Sequence, residues 1–279
     1  MMGMTSEISP LAIIAGGGLM PRRLAEAARL QGYAVHILAI KDQADPALTR
    51  DFNHDWIDLR SISQTLALLR KKEIKKLIFA GKVKRPSFTV LLSDPWTAKF
   101  FAKAGLRAIS GDDGLLSALI KVLEESEGFQ ILGIDQILKD LAAPLGCLTQ
   151  HQPDLDAEMD IQRGVSVALA LGKVDVGQAV VVQQGLVLGV ESIEGTAALL
   201  ERCIHLKRDG AGGVLVKISK PGQERRADLP TIGLETIHQA VVAGLRGIAV
   251  EAQNSLIIDR QAVIQAADKA GLFLIGISV

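Results

Sequence analysis

Aromatic residues are scarce: Phe, Trp and Tyr make up 4% of the 279 residues, with a single tyrosine. That is too few for the stacking platforms on which single-stranded nucleic acid is held. There is also no net charge to attract a polyanion, because 31 Lys and Arg face 31 Asp and Glu. A nucleic-acid partner is therefore not expected. The only cysteines, Cys147 and Cys203, lack metal or redox spacing. They argue against a disulfide framework and for a reducing compartment, with both thiols as small core residues. No run of about 18 apolar residues occurs, so no membrane-spanning helix is expected. The opening MMGMTSEISP lacks the basic flank and apolar stretch of a signal peptide, and the expected location is the cytoplasm. The five histidines show no ligand spacing, and no G-x-S-x-G nucleophile signature appears. What is present is an ordinary globular composition, 48% hydrophobic and 22% charged, in a chain long enough for two domains.

The first half alternates short apolar runs with helical stripes. LAIIA, YAVHILAI, DWIDL, KKLIFAG and FQILGI read as strands. Between them lie helices such as RRLAEAARLQG and SISQTLALLRKK, the second opened by a serine cap, and DPWTAKFFAKAG, where Asp94 caps and Pro95 takes the first helical position. This alternation argues for βαβ units and a parallel sheet over residues 1–140. Residues 141–164 carry two prolines, two glycines and a polar middle, and read as a connection between domains. Residues 165–279 read as a second α/β domain with a mixed sheet, containing a hairpin turned at Gln184-Gly185.

Five stretches carry candidate chemistry. AGGGLMP, with Gly17 and Gly18, lies between a strand and a helix, where backbone N–H groups and the helix dipole favour an anion. A structural tight turn is the alternative. A nicotinamide site, with Asp42 as the ribose acid, is a third reading, although Pro21 stands where G-x-G-x-x-G needs glycine. FAGKVKRP sets Lys82, Lys84 and Arg85 beyond a strand end, suited to phosphate or to a solvated loop. In SGDDGLL, Asp112 or Asp113 caps the next helix or binds a cation or sugar hydroxyls. VESIEGT offers Glu191 and Glu194 either to Mg²⁺ or to a helix start. KISKPGQERRADLPTIG packs Lys217, Lys220, Glu224, Arg225, Arg226 and Asp228 into one irregular segment. Mixed charges there fit a phosphate-and-metal site, and an exposed loop is the bland alternative.

Taken together and in order, AGGGLMP, FAGKVKRP, GDDGLL, DVGQAVVV, VESIEGT, GVLVKISKPGQERRADLPTIG and GLRGIAVEA resemble the LpxI-type UDP-2,3-diacylglucosamine pyrophosphatases of lipid A biosynthesis. The resemblance runs from Leu11 to the end of the chain. It implies an N-terminal Rossmann-like domain, a distinctive C-terminal domain and a lipid substrate between them. It also implies Mg²⁺-dependent hydrolysis of UDP-2,3-diacylglucosamine to UMP and 2,3-diacylglucosamine 1-phosphate (lipid X), with water attacking the sugar-side phosphorus. Asp228, the acid of the DLP motif, is the residue it makes essential. One departure is Ala197, where the family's EGT is usually followed by Asp. The group from Glu191 to Ala197 accordingly carries less weight than Asp228.

On this reading Asp228 and Lys217 are catalytic, and Asp228, Glu191 and Glu224 hold Mg²⁺. Gly17, Gly18, Lys82, Arg85, Asp112, Asp113, Thr196, Lys220, Arg226 and Thr231 bind substrate. A homodimer and peripheral contact with the inner membrane are further expectations. The rival classes are a nicotinamide-dependent oxidoreductase, which leaves the charged segment without a role, and a non-catalytic carrier of lipid or nucleotide sugar.

Overall fold

A computed structural model of the chain describes residues 9–84, 87, 92–104, 112–226 and 228–279. It divides into two compact units, Met1–Lys139 and Asp140–Val279.

In the N-terminal unit, strands β1 (Pro10–Ala15), β2 (Ala34–Ile40), β3 (Asn53–Ile57), β4 (Lys76–Ala80) and β5 (Gln130–Ile131) form one parallel sheet in the order β3-β2-β1-β4-β5. Leu11, Ala12, Ile13, Ile37, Leu38 and Ala39 are fully buried, as expected for central strands covered on both faces. Helix α1 (Met20–Leu30) buries Met20, Pro21, Leu24, Ala25 and Ala28, a stripe of helical period. Helices α2 (Ile62–Lys71), α3 (Pro95–Ala104), α4 (Asp112–Glu125) and the short α5 (Ile134–Ile137) complete the described α-helices of this unit. Strand order reverses between β1 and β4, so the loops after these two strands lie side by side at the switch point.

Asp94 caps as its sequence implies. Its Oδ1 accepts the Thr97 N–H at 2.9 Å and the Thr97 hydroxyl at 3.1 Å. Its Oδ2 accepts the Ser63 N–H at 3.2 Å and the Ser63 hydroxyl. Ser61, expected to cap α2, stands at the N-cap position but makes no cap hydrogen bond. Asp94 serves the first turn of α2 in its place.

The C-terminal unit holds a six-stranded mixed sheet. It comprises β6 (Gly146–Cys147), β7 (Ala179–Gln183), β8 (Leu186–Val190), β9 (Val214–Lys217), β11 (Gly247–Glu251) and β13 (Phe273–Ile277), in the order β6-β13-β11-β9-β7-β8. Strands β9, β11 and β13 run parallel, and β6, β7 and β8 pair antiparallel with their neighbours. A separate parallel pair joins β10 (Thr231–Ile232) to β12 (Leu256–Ile257). Gln184 (φ 55°) and Gly185 (φ 73°) form the expected hairpin turn.

Helices cover both faces of this sheet. Helix α6 (Leu155–Lys173) packs Ala157, Ile161 and Ala168 against Val180, Val182, Val214 and Val216. On the other face, α7 (Gly195–Ile204), α8 (Leu234–Val242) and α9 (Arg260–Lys269) bring Leu199, Ile237 and Val263 against Val181, Leu215 and Val250. Alternate residues of β7 thus feed opposite cores, the period-2 rule of a doubly covered strand.

Residues 141–164 are not a linker. They supply β6, paired antiparallel to β13, and the first half of α6, which belongs to the C-terminal core. The glycines misled because Gly164 is a packing position, where an added Cβ would lie 2.5 Å from Val216 Cγ2. Cys203 is fully buried, whereas Cys147 is only partly buried, its thiol 3.1 Å from the His151 carbonyl.

Candidate active site

The cationic end of the C-terminal unit is built at the carboxyl end of β9. Ala179 pairs with Lys217 across the sheet, and Glu191 follows β8, with its N–H bonded to the Ala179 carbonyl at 2.8 Å. The start of α7 then places Thr196 between the two charges. Lys217 Nζ donates to Thr196 Oγ1 at 2.8 Å and to the Thr231 carbonyl at 3.2 Å, while Thr196 Oγ1 donates to Glu191 Oε1 at 2.6 Å. Lys217 and Glu191 are each only 7% exposed. Charges so buried persist only when paired and hydrogen-bonded, and the hydroxyl of Thr196 relays between them.

The charged loop that follows is pinned along its length. Ser219 donates its N–H (2.8 Å) and hydroxyl (2.5 Å) to Glu251 Oε2, at the end of β11. Lys220 Nζ meets Asp175 Oδ1 at 2.6 Å, just past the end of α6. There Gly172 leaves room for the loop: an added Cβ would lie 2.8 Å from Pro221 Cδ and 3.2 Å from Lys220 Cα. Arg226 grips Glu224 with two side-chain hydrogen bonds of 2.8 Å, which hold the Glu224 carboxyl below its ordinary range. Arg225 donates to the Gln253 carbonyl at 2.9 Å. Asp228 Oδ2 accepts Gln223 Nε2 at 2.7 Å, and the same nitrogen lies 3.3 Å from Gln178 Oε1. The Gln178 N–H points to Glu191 Oε2 at 3.4 Å.

A closed ring results. It passes from Asp228 through Gln223 and Gln178 to Glu191, then through Thr196 and Lys217 to Thr231, and back along Pro230 and Leu229. The sequence reading found Lys217, Asp228, Glu191, Thr196 and Thr231. It missed Gln178, Gln223 and Asp175, although all three lie inside motifs it quoted.

The expected metal set is not assembled. Among the described residues no group of three His, Cys, Asp or Glu side chains is placed to hold a metal ion. Glu191 is engaged by Thr196 and Gln178, and Glu224 by Arg226. Asp228 is different: among the described residues no donor reaches its Oδ1.

In the N-terminal unit, two motifs meet directly. The Gly16 N–H donates to the Ala80 carbonyl (2.9 Å), and Gly17 and Lys82 exchange both backbone hydrogen bonds at 2.8 and 2.9 Å. A side chain at Gly16 would overlap the Lys82 carbonyl, and one at Gly81 would fall 2.6 Å from the Gly17 carbonyl. Gln43 closes the third loop onto this pair, its Oε1 accepting the Lys84 N–H at 2.6 Å and its Nε2 donating to the Lys84 carbonyl at 3.1 Å. The glycine run is therefore first a close-approach device, and of the two glycines expected to bind substrate, Gly17 already donates its N–H within the protein. That weakens both the phosphate-cradle and the nicotinamide readings of this loop. Gly18 (φ 91°) has open space around it, and the side chain of Lys82 is exposed. Asp112 and Asp113 open α4. Their side chains, like Arg85, lie outside the described residues.

The LpxI N-terminal domain matches residues 10–141 and the LpxI C-terminal domain matches residues 144–275. The chain belongs to the LpxI family. It is 40% identical over 273 residues, 96% of this chain and 97% of the relative, to the UDP-2,3-diacylglucosamine pyrophosphatase LpxI of Caulobacter vibrioides. Two solved structures show faint likenesses. A Stenotrophomonas maltophila UDP-glucose-4-epimerase aligns at 17% identity and TM-score 0.28, covering 44% of this chain and 35% of the other. A Mycobacterium tuberculosis glycinamide-RNase-transformylase T aligns at 14% and 0.25, covering 65% and 44%. Neither carries an argument about the site. Within the family frame, the ring and the loop around Asp228 belong wholly to the LpxI C-terminal domain. Among the described residues no helix is long and apolar enough to cross a membrane.

Proposed function

We propose that this chain hydrolyses the pyrophosphate bond of UDP-2,3-diacylglucosamine, releasing UMP and 2,3-diacylglucosamine 1-phosphate. The observation that carries the reading is kinship along nearly the whole chain with a pyrophosphatase of that name. The local chemistry supports it. Phosphoryl transfer asks for positioned charge rather than a covalent nucleophile, and the ring supplies a buried ammonium and a carboxylate held in place.

Lys217, fixed by Thr196 and Thr231, neutralises a phosphoryl oxygen without having to reorganise. Asp228 directs the attacking water through the oxygen that Gln223 leaves open. Lys220 and Arg226 reach the diphosphate by exchanging Asp175 and Glu224 for phosphate oxygens, so both carboxylates act as resting partners. Mg²⁺, which commonly binds through one or two carboxylates and its substrate's phosphates, fits Asp228 and would neutralise the diphosphate when bound. Glu191 is already engaged by Thr196 and Gln178, and Glu224 becomes available to the ion only if Arg226 exchanges it for phosphate.

The test is UMP release from UDP-2,3-diacylglucosamine with and without Mg²⁺ in oxygen-labelled water. Label in the sugar 1-phosphate is expected, with Asp228→Asn reducing turnover by about 100-fold or more at unchanged melting temperature. No UMP release from the wild type overturns the function. Near-normal turnover by Asp228→Asn overturns the role of that residue.

A further inference from the structure

The carboxamide of Gln223 has a single orientation. Its Oε1 accepts the Lys220 backbone N–H at 2.9 Å, so its NH₂ end is the one that meets Asp228 Oδ2 at 2.7 Å and Gln178 Oε1 at 3.3 Å. The flipped amide would set donor against donor at Lys220 and acceptor against acceptor at the other two. The residue is 8% exposed, so bulk water competes little for these bonds.

Its supports are fixed in turn. The Gln223 N–H donates to the Lys220 carbonyl at 3.0 Å, and the Gln178 carbonyl accepts the Ile218 N–H at 3.0 Å. Gly177, just before Gln178, sits where any side chain would overlap the Glu191 carbonyl. Backbone contacts therefore hold the amide, and the amide holds one oxygen of Asp228.

We propose that Gln223 is the positioning residue for Asp228, with Gln178 as its brace: it fixes Oδ2 and so determines where Oδ1 points. The inference rests on the reading of Asp228 as the acting carboxylate. It concerns only how that group is aimed. An unheld aspartate has two freely exchanging oxygens and a rotating χ2. Aiming one of them is the preorganisation that phosphoryl transfer rewards.

Gln223→Ala and Gln223→Glu separate aiming from packing. Gln223→Glu keeps the shape and an oxygen for the Lys220 N–H, but replaces the donor to Asp228 with a second carboxylate oxygen. A residue needed only for loop shape is rescued by Gln223→Glu. A residue that aims Asp228 is not, because like charges now face each other. The expected result is a fall in kcat of about 10- to 100-fold for Gln223→Ala, with KM within about threefold. Gln223→Glu should be as slow or slower at neutral pH and above, with a melting temperature lowered there by the facing carboxylates and recovering as pH falls and the pair takes up a proton.

Wild-type kcat in Gln223→Glu overturns the proposal, as does a Gln223→Ala loss that lies wholly in KM. If Gln223→Ala does not fold, the kcat of Gln223→Glu decides alone. The wild type and Asp228→Asn are assayed alongside. An inactive wild type sinks the functional reading, whereas an active wild type, an inactive Asp228→Asn and fully active Gln223 variants sink only the positioning role.

Discussion

Replacing Thr196 by valine removes one hydroxyl and almost no volume, yet that hydroxyl links Lys217 to Glu191. It lies 2.8 Å from the ammonium and 2.6 Å from the carboxylate. Hydrogen bonds to charged groups contribute about 1.5–3 kcal/mol each, and a buried charge deprived of one is penalised on the same scale. Both partners keep a weaker contact, Lys217 to the Thr231 carbonyl at 3.2 Å and Glu191 to the Gln178 N–H at 3.4 Å. The loss for the pair should therefore fall near the bottom of the combined range, about 3 kcal/mol. At about 2–4 °C per kcal/mol for a chain of this size, the melting temperature should fall by roughly 6–12 °C. Thr196→Ser keeps the hydroxyl and should stay within about 1 kcal/mol of wild type. Thermal denaturation followed by calorimetry reads both variants. If Thr196→Val melts within about 2 °C of wild type, the hydroxyl does not carry the charge pair and this reasoning fails.

Other expectations follow from the same geometry. Gly16→Ala forces a methyl onto the Lys82 carbonyl and should destabilise by about 2–3 kcal/mol. Gly18→Ala meets no atom but strains a φ of 91°, and should destabilise by about 1 kcal/mol; denaturant unfolding of the two variants tests that order. Asp94→Ala removes four hydrogen bonds at the starts of α2 and α3 and should destabilise by about 2 kcal/mol, with faster amide exchange at Thr97 as the local signature. Burial alone would raise the Asp94 carboxyl, but the donors from Ser63 and Thr97 outweigh it and hold the group below its usual range. Glu224 is likewise held low, by Arg226, from an ordinary value of 4.5. A depressed folded-state value contributes stability above the unfolded value and loses it as pH falls through the folded one. Glu224→Gln should thus melt below wild type by a constant margin near neutral pH, no more than about 1 kcal/mol for a partly solvated pair. The margin should close below about pH 4.5, as melting curves across pH will show.

Much of the fold was legible because its signals are local. Apolar runs such as LAIIA and KKLIFAG, the Gln184-Gly185 turn and the Asp94-Pro95 helix start each state their structure within a few residues. Helix α6 was less legible because four of its six buried positions, Ala157, Gly164, Ala168 and Gly172, are small, and Ile161 shares that face with the buried Asp160. The site was half visible. Charge drew attention to Lys217, Asp228, Glu191 and Glu224, but a carboxylate's letter does not reveal the partners that Glu191 and Glu224 hold in the fold. Gln178 and Gln223 carry no charge and no motif spacing; an amide becomes informative only when the fold sets its two ends against different partners. The engagement of Gly17 with Lys82 was hidden for a related reason. It joins two motifs that are far apart in the chain and adjacent only because β1 pairs with β4.

A ring closed by hydrogen bonds and by the backbone at Gln178, Leu229 and Pro230 has no free end. Changing one member between Gln178 and Thr231 disturbs its neighbours on both sides, so a substitution tolerated at an open chain of contacts here needs a matching change nearby. Relatives of this chain should therefore alter Gln178, Glu191, Thr196, Lys217, Gln223 and Asp228 together or not at all, while the valines of β7 and β9 drift among apolar types around them. The order in which such changes can accumulate is then narrow, and these six positions are expected to diverge more slowly than the valines around them.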